Sequence, residues 1–168
     1  MGQAEVLLKT PGARHAAAVL RSACREWLGS EELSVALVSD REMRALNRRW
    51  RGKDRTTDVL SFPLGGGAGF ARDGRTPQAG ALEERAALGD VVISLSTARR
   101  QAREGGWPLS VELRRLLAHG LLHCRGYDHQ TGKDARRMAR AERRLLGARG
   151  MVGDSLSQNP VPTARDSR

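Results

Sequence analysis

Three of the chain's four histidines fall in one short stretch, His119-Gly-Leu-Leu-His123-Cys-Arg-Gly126-Tyr-Asp-His129. Imidazole is the commonest side-chain ligand for a metal ion. His119 and His123 stand four residues apart, so on a helix their rings lie one above the other on a single face. One ion bound at about 2.0–2.1 Å from each ring can then be shared between them. Gly126 tolerates a left-handed backbone without steric cost, so the helix is expected to stop there. The chain then turns back, and His129 supplies a third nitrogen. Three neutral imidazoles with no fourth protein ligand leave a position open for water. That is the arrangement of a catalytic zinc site, where a coordinated water titrates near ~7, rather than of a structural one.

Other residues are weaker candidates. Cys124 follows a histidine, but one helical step turns it about 100° away, which points to packing rather than ligation. Cys24 lies on an apolar stripe and reads as core. His15 stands alone and reads as an ordinary polar residue. Asp128 either orients a ligand histidine or shapes the turn, with the turn favoured. Gly65-Gly66-Gly67 lacks the lysine and the strand–loop–helix setting of a phosphate loop and reads as flexible linker. Trp27, Trp50 and Trp107 can stack on bases, although Trp27 is expected in the core.

The elements that must position these residues follow from periodicity. Glu5 to Leu8 and Leu33 to Val38 read as strands. Between them the apolar positions Val19, Leu20, Ala23, Cys24, Trp27 and Leu28 repeat at helical spacing from Ala13 until Gly29. Ser39-Asp40 offers a cap for a helix to about Asn47, with Met43 and Leu46 inward. Thr56 to Phe62 is rich in β-formers and ends at Pro63, and Gly89 to Leu95 is a further strand. Ser96 is expected to cap a helix ending at Gly105-Gly106. Pro108 opens another helix, from Leu109 to about Arg125, and a last one spans about Lys133 to Leu146. The predicted class is α+β: a small mixed sheet of about four strands packed with about five helices. Residues 1–150 read as one catalytic domain containing an exposed glycine-rich loop over 64–88, and residues 151–168 as a disordered tail.

Composition narrows the function. The 168 residues are 39% hydrophobic and 29% charged, ordinary for a globular chain. No apolar run approaches the ~18 residues that span a bilayer, and the N-terminus has no basic-then-apolar signal, so a cytoplasmic protein without a membrane partner is expected. Two cysteines exclude a disulfide framework. Lys and Arg number 29 against 19 acids, a net charge of +10. Such a balance favours a polyanionic partner, nucleic acid above all. The charge concentrates near the end, where Lys133, Arg136, Arg137, Arg140, Arg143, Arg144 and Arg149 face only Asp134 and Glu142. A solvated helix face and a surface that tracks an RNA backbone both fit it.

The spacing H-x3-H-x5-H, with glycine three residues before the last histidine, resembles the metzincin zinc peptidases. It departs at Gly120, where those enzymes carry the glutamate that serves as general base. The whole segment His119 to His129 is more similar to the H-G-x-L-H-x-x-G-Y-D-H signature of the bacterial YbeY family. Arg51-Gly-Lys-Asp-Arg-Thr-Thr-Asp-Val-Leu-Ser-Phe62 and Gly89-Asp-Val-Val-Ile-Ser94 resemble two further motifs of that family, and matching stretches run from about Leu33 to Leu146. The resemblance implies a metzincin-like zinc-hydrolase core. It also implies a zinc-dependent, single-strand-specific endoribonuclease of ribosomal RNA maturation, notably at the small-subunit 3′ end, and of ribosome quality control. Its partners are then single-stranded ribosomal RNA and the ribosome or its small subunit. His119, His123 and His129 match the family's ligands for one zinc ion per chain, and Arg51 its important arginine. Arg51 suits that role chemically, since a planar permanent cation forks onto phosphate oxygens, although Arg55 stands nearby. The alternatives are a zinc peptidase and a ribosome-associated factor whose metal is structural.

Overall fold

The computed structural model describes residues 3–64 and 87–147. Most of the expected 64–88 loop and all of the 151–168 tail lie outside the described residues. The elements run β1 (Gln3–Leu8), α1 (Arg14–Trp27), β2 (Glu32–Val38), α2 (Asp40–Arg51), β3 (Val59–Pro63), β4 (Ala87–Ser94), α3 (Leu95–Gly105), α4 (Leu109–Cys124) and α5 (Gly132–Leu146). The strands hydrogen-bond in the order β1-β2-β4-β3, with β1, β2 and β4 parallel and β3 antiparallel at the edge. This is the α+β architecture with a four-stranded mixed sheet that the pattern implied.

Alternation along the strands divides the apolar residues between two faces, because successive side chains of a strand point to opposite sides. Leu33, Val35, Leu37, Val91 and Ile93 join the main core with Leu20 and Ala23 of α1 and Leu113, Leu116, Leu117 and Leu121 of α4. Val38, Leu60 and Val92 face the other way, onto Met43 and Leu46 of α2. Each fully buried leucine contributes about 1.5–3 kcal/mol. Ten of the sixteen residues of α4 are buried, and that helix packs against α1, α3, α5, β3 and β4. It is therefore held on several sides, a firm base for anything mounted on it. At its start, buried Glu112 accepts a bond from Trp107 Nε1 at 2.5 Å and pairs with Arg115 at 3.5 Å. Burial raises the Glu112 pKa, and the Trp107 bond and Arg115 oppose that rise.

Several boundaries differ from expectation for local reasons. Helix α2 continues past Asn47 to Arg51, because Gly52 is the residue that adopts the left-handed backbone (φ 65°) closing it. Strand β3 begins at Val59 rather than Thr56: the Asp58 carboxylate accepts from the Thr57 hydroxyl and the Val59 N–H, forming a turn. The cap of α3 is Ser94, not Ser96. Its hydroxyl oxygen accepts from the Thr97 N–H at 3.3 Å, so β4 passes directly into the helix.

Candidate metal centre

His119 and His123 project from the last two turns of α4, one face apart by a single turn, as their spacing required. Gly126 takes φ 83°, and the chain reverses so that His129 returns toward them. The ring centroids of His119 and His123 lie 4.7 Å apart, those of His123 and His129 5.1 Å, and those of His119 and His129 5.8 Å. One ligand atom from each of the three falls within 4.8 Å of the others, so the cluster can hold a metal ion. The Nε2 atoms of His119 and His123 are 3.2 Å apart. Two nitrogens about 2.0–2.1 Å from one ion at a tetrahedral angle sit about 3.3 Å apart, so the pair fits the ion without rearrangement.

The rings are prepared electronically as well. Burial and the neighbouring His119 and His129 hold the His123 pKa down at about 4, which leaves its ring neutral and able to donate a lone pair at pH 7. His119 is set from outside its own helix. Its Nδ1–H donates to Glu142 Oε1 of α5 at 2.8 Å. A proton fixed on Nδ1 leaves Nε2 bare for a metal, and the carboxylate makes the ring a stronger donor. The sequence reading missed Glu142 in this role. The available signal was an acid surrounded by arginines at a helical position in register with Met138, Leu145 and Leu146. Asp128 instead accepts from the backbone N–H of His129 at 2.7 Å, which makes it the turn-former expected.

Two further positions bear on the chemistry. Gly120 faces the sheet, and a Cβ there would sit 2.7 Å from Val91 Cγ1 and 3.1 Å from its Cγ2. A glutamate at 120 would thus start into the core rather than toward the histidines, and the peptidase general base has no place here. Cys124 lies with Sγ 3.9 Å from the Asp90 carbonyl oxygen, and burial pushes its thiol up to about 12. The buried Cys24 thiol is likewise pushed up to about 11. Both cysteines are inert packing groups.

Arg51 is the last residue of α2, half-buried, and its guanidinium approaches the Ser61 carbonyl of β3 at 3.5 Å. Gly120 of α4 lies over the same strand, with Val59 Cγ2 3.5 Å from its Cβ position. The histidine helix and α2 with its terminal arginine therefore both contact β3, from opposite faces of the sheet. The loop that follows Arg51 is tied down by a two-point ion pair between Arg44 and Asp54 at 2.9 Å and by Asn47 Nδ2 donating to the Arg55 carbonyl at 2.8 Å. Burial lowers the Arg51 pKa, but an arginine remains charged at neutral pH. Arg55 is exposed. Of the tryptophans, Trp27 is in the core. Trp107 is engaged with Glu112 and Arg115, and Trp50 meets Phe62 edge-on at 6.1 Å.

The family model described as endoribonuclease YbeY matches residues 11–150. The chain belongs to the YbeY endoribonuclease family. Curated relatives agree with that placement. Endoribonuclease YbeY of Anaeromyxobacter sp. (strain Fw109-5) is 49% identical over 94% of this chain and 77% of its own length. The Myxococcus xanthus (strain DK1622) family member is 54% identical over 77% of this chain, which spans only 40% of that relative. The solution structure of a Thermotoga maritima protein matches with a TM-score of 0.55 and 26% identity, over 86% of this chain and 87% of that one. No helix among the described residues is long and apolar enough to cross a membrane.

Proposed function

We propose that this chain is a cytoplasmic, zinc-dependent endoribonuclease that cuts single-stranded ribosomal RNA. On this reading it acts in maturation of the small-subunit 3′ end and in ribosome quality control, in contact with the ribosome. The observation that carries the proposal is the cluster of three imidazoles whose ligand atoms lie within 4.8 Å of one another, in a chain of net charge +10. His119, His123 and His129 hold one ion. Zinc suits three nitrogen donors with no thiolate and no carboxylate among them. When bound, the ion supplies Lewis-acid charge and lowers the pKa of a coordinated water.

The chain's own residues do the rest. Glu142 keeps the His119 proton on Nδ1 and so keeps Nε2 directed at the ion. Arg51, anchored at the end of α2, binds the scissile phosphate and stabilises charge developing on its oxygens. The sheet-facing Gly120 lets α4 sit close to Val91, which fixes how far the histidines stand from the sheet.

The test is cleavage of an end-labelled single-stranded ribosomal RNA fragment by wild type, His123→Ala and Arg51→Lys. His123→Ala is expected to lose both bound zinc and cutting. Arg51→Lys is expected to keep its zinc and cut about 100-fold more slowly, the scale of losing one well-placed transition-state donor. Cutting by Arg51→Lys at the wild-type rate would remove Arg51 from the chemistry. A 2′,3′-cyclic phosphate end would identify the RNA's own 2′-hydroxyl, rather than water, as the nucleophile. Casein hydrolysis lost with His123→Ala would restore the peptidase reading.

A further inference from the structure

We propose that the outer face of α5 is a second RNA-binding surface, one that grips the sugar–phosphate backbone away from the point of cleavage. The inference rests on the endoribonuclease reading above and extends it. At about 100° per residue, Lys133, Arg136, Arg137, Arg140, Arg143 and Arg144 fall within one arc of about 120° along the helix. All six are exposed. Among the described residues none of them has a carboxylate within ion-pair reach.

The acids of the helix are directed elsewhere. Asp134 is bound to Thr131 at the N-cap, and Glu142 turns inward to His119. Buried Met138 lies on the inward side with Glu142. The result is an unbroken cationic stripe about 17 Å long, at 1.5 Å per residue. Six uncompensated like charges on one face repel one another, and a polyanion relieves that repulsion.

The stripe also leads to the metal centre. The Arg137 guanidinium lies over the Tyr127 ring, 5.0 Å from its centroid, and Tyr127 stands in the turn between His123 and His129. A strand lying along α5 is therefore delivered at Arg137 to the turn that carries the third histidine. Arginine suits this contact because its fork grips phosphate oxygens without reading base sequence. The surface should add affinity and processive hold, not a choice of cleavage site.

The test uses the full chain in three forms: wild type, Arg136/Arg140/Arg143/Arg144→Gln, and a control, Arg14/Arg21/Arg25/Arg103→Gln, which removes the same charge from exposed positions elsewhere. Arg137 is left in place because it packs on Tyr127. Binding of a single-stranded ribosomal RNA fragment is followed by fluorescence anisotropy across a salt series, with melting temperature and cleavage measured alongside. The α5 variant is expected to flatten the log Kd against log salt slope by about 2–3 and to bind at least about tenfold more weakly at 0.1 M salt. The control should keep the wild-type slope, and both variants should melt within about 2 °C of wild type. Equal weakening of the two variants would reduce the effect to net charge and overturn the proposal. Unchanged binding by the α5 variant, while wild type still cuts, would overturn it and leave the endoribonuclease reading intact. Failure of wild type to bind or cut RNA would overturn both.

Discussion

Glu142 meets His119 in the way that a carboxylate prepares a histidine for a metal without itself being a ligand. The two sit on different helices, 2.8 Å apart and mostly covered. Replacing Glu142 by Gln keeps an oxygen able to accept from Nδ1–H but removes the negative charge that strengthens the ring as a donor. Zinc affinity measured against a chromophoric chelator is expected to fall about 10-fold for Glu142→Gln and nearer 100-fold for Glu142→Ala, with little change in melting temperature. Wild-type affinity in both variants would make the contact merely structural. This contact was not legible in the sequence, because nothing in a one-dimensional pattern brings position 142 to position 119. The histidines themselves were legible, since the i, i+4 spacing and the glycine stop are local features that need no tertiary information. Arg51 lay between these cases: its motif was plain, whereas its place as the last residue of α2 depended on Gly52 closing the helix one turn later than Asn47.

Helix α4 carries the site by virtue of its close approach to the sheet. Gly120 permits that approach, and its glycine is a packing requirement rather than a flexible joint. Gly120→Ala gains about 1 kcal/mol in helix propensity, yet its methyl would stand 2.7 Å from Val91 Cγ1. Overpacking of this kind costs about 1–3 kcal/mol, so a net loss of about 1 kcal/mol is expected in urea denaturation. Combining it with Val91→Ala, which vacates the space, should cost less than the sum of the two single changes. Strict additivity would mean that the helix shifts freely and that Gly120 does not set its height. The elements were mostly visible from periodicity, and the misplaced starts of β3 and α3 share one cause, whereas α2 ran on until Gly52 could close it. Side chains such as Asp58 and Ser94 bond to nearby backbone N–H groups and end or start an element where propensity alone is indifferent.

Over the whole molecule, two different surfaces meet at α5. Its inner side carries Glu142 to His119, and its outer side presents arginines that face no carboxylate among the described residues. The net charge of +10 indicated a polyanion from composition alone, and helical spacing put the arginines outward, but that Glu142 turns in to His119 is visible only once the helix is docked. The sheet serves as the frame: α4 packs on one face and α2 on the other, and both contact β3. The central claim is that cleavage of RNA depends on an ion held by the three histidines. Protein stripped with chelator and titrated with zinc tests it most directly, with bound metal and cutting of single-stranded ribosomal RNA followed in the same samples. Both should rise together and saturate at one ion per chain, while His123→Ala gains neither. Undiminished cutting by the stripped protein, or saturation of zinc without any cutting, would contradict the claim.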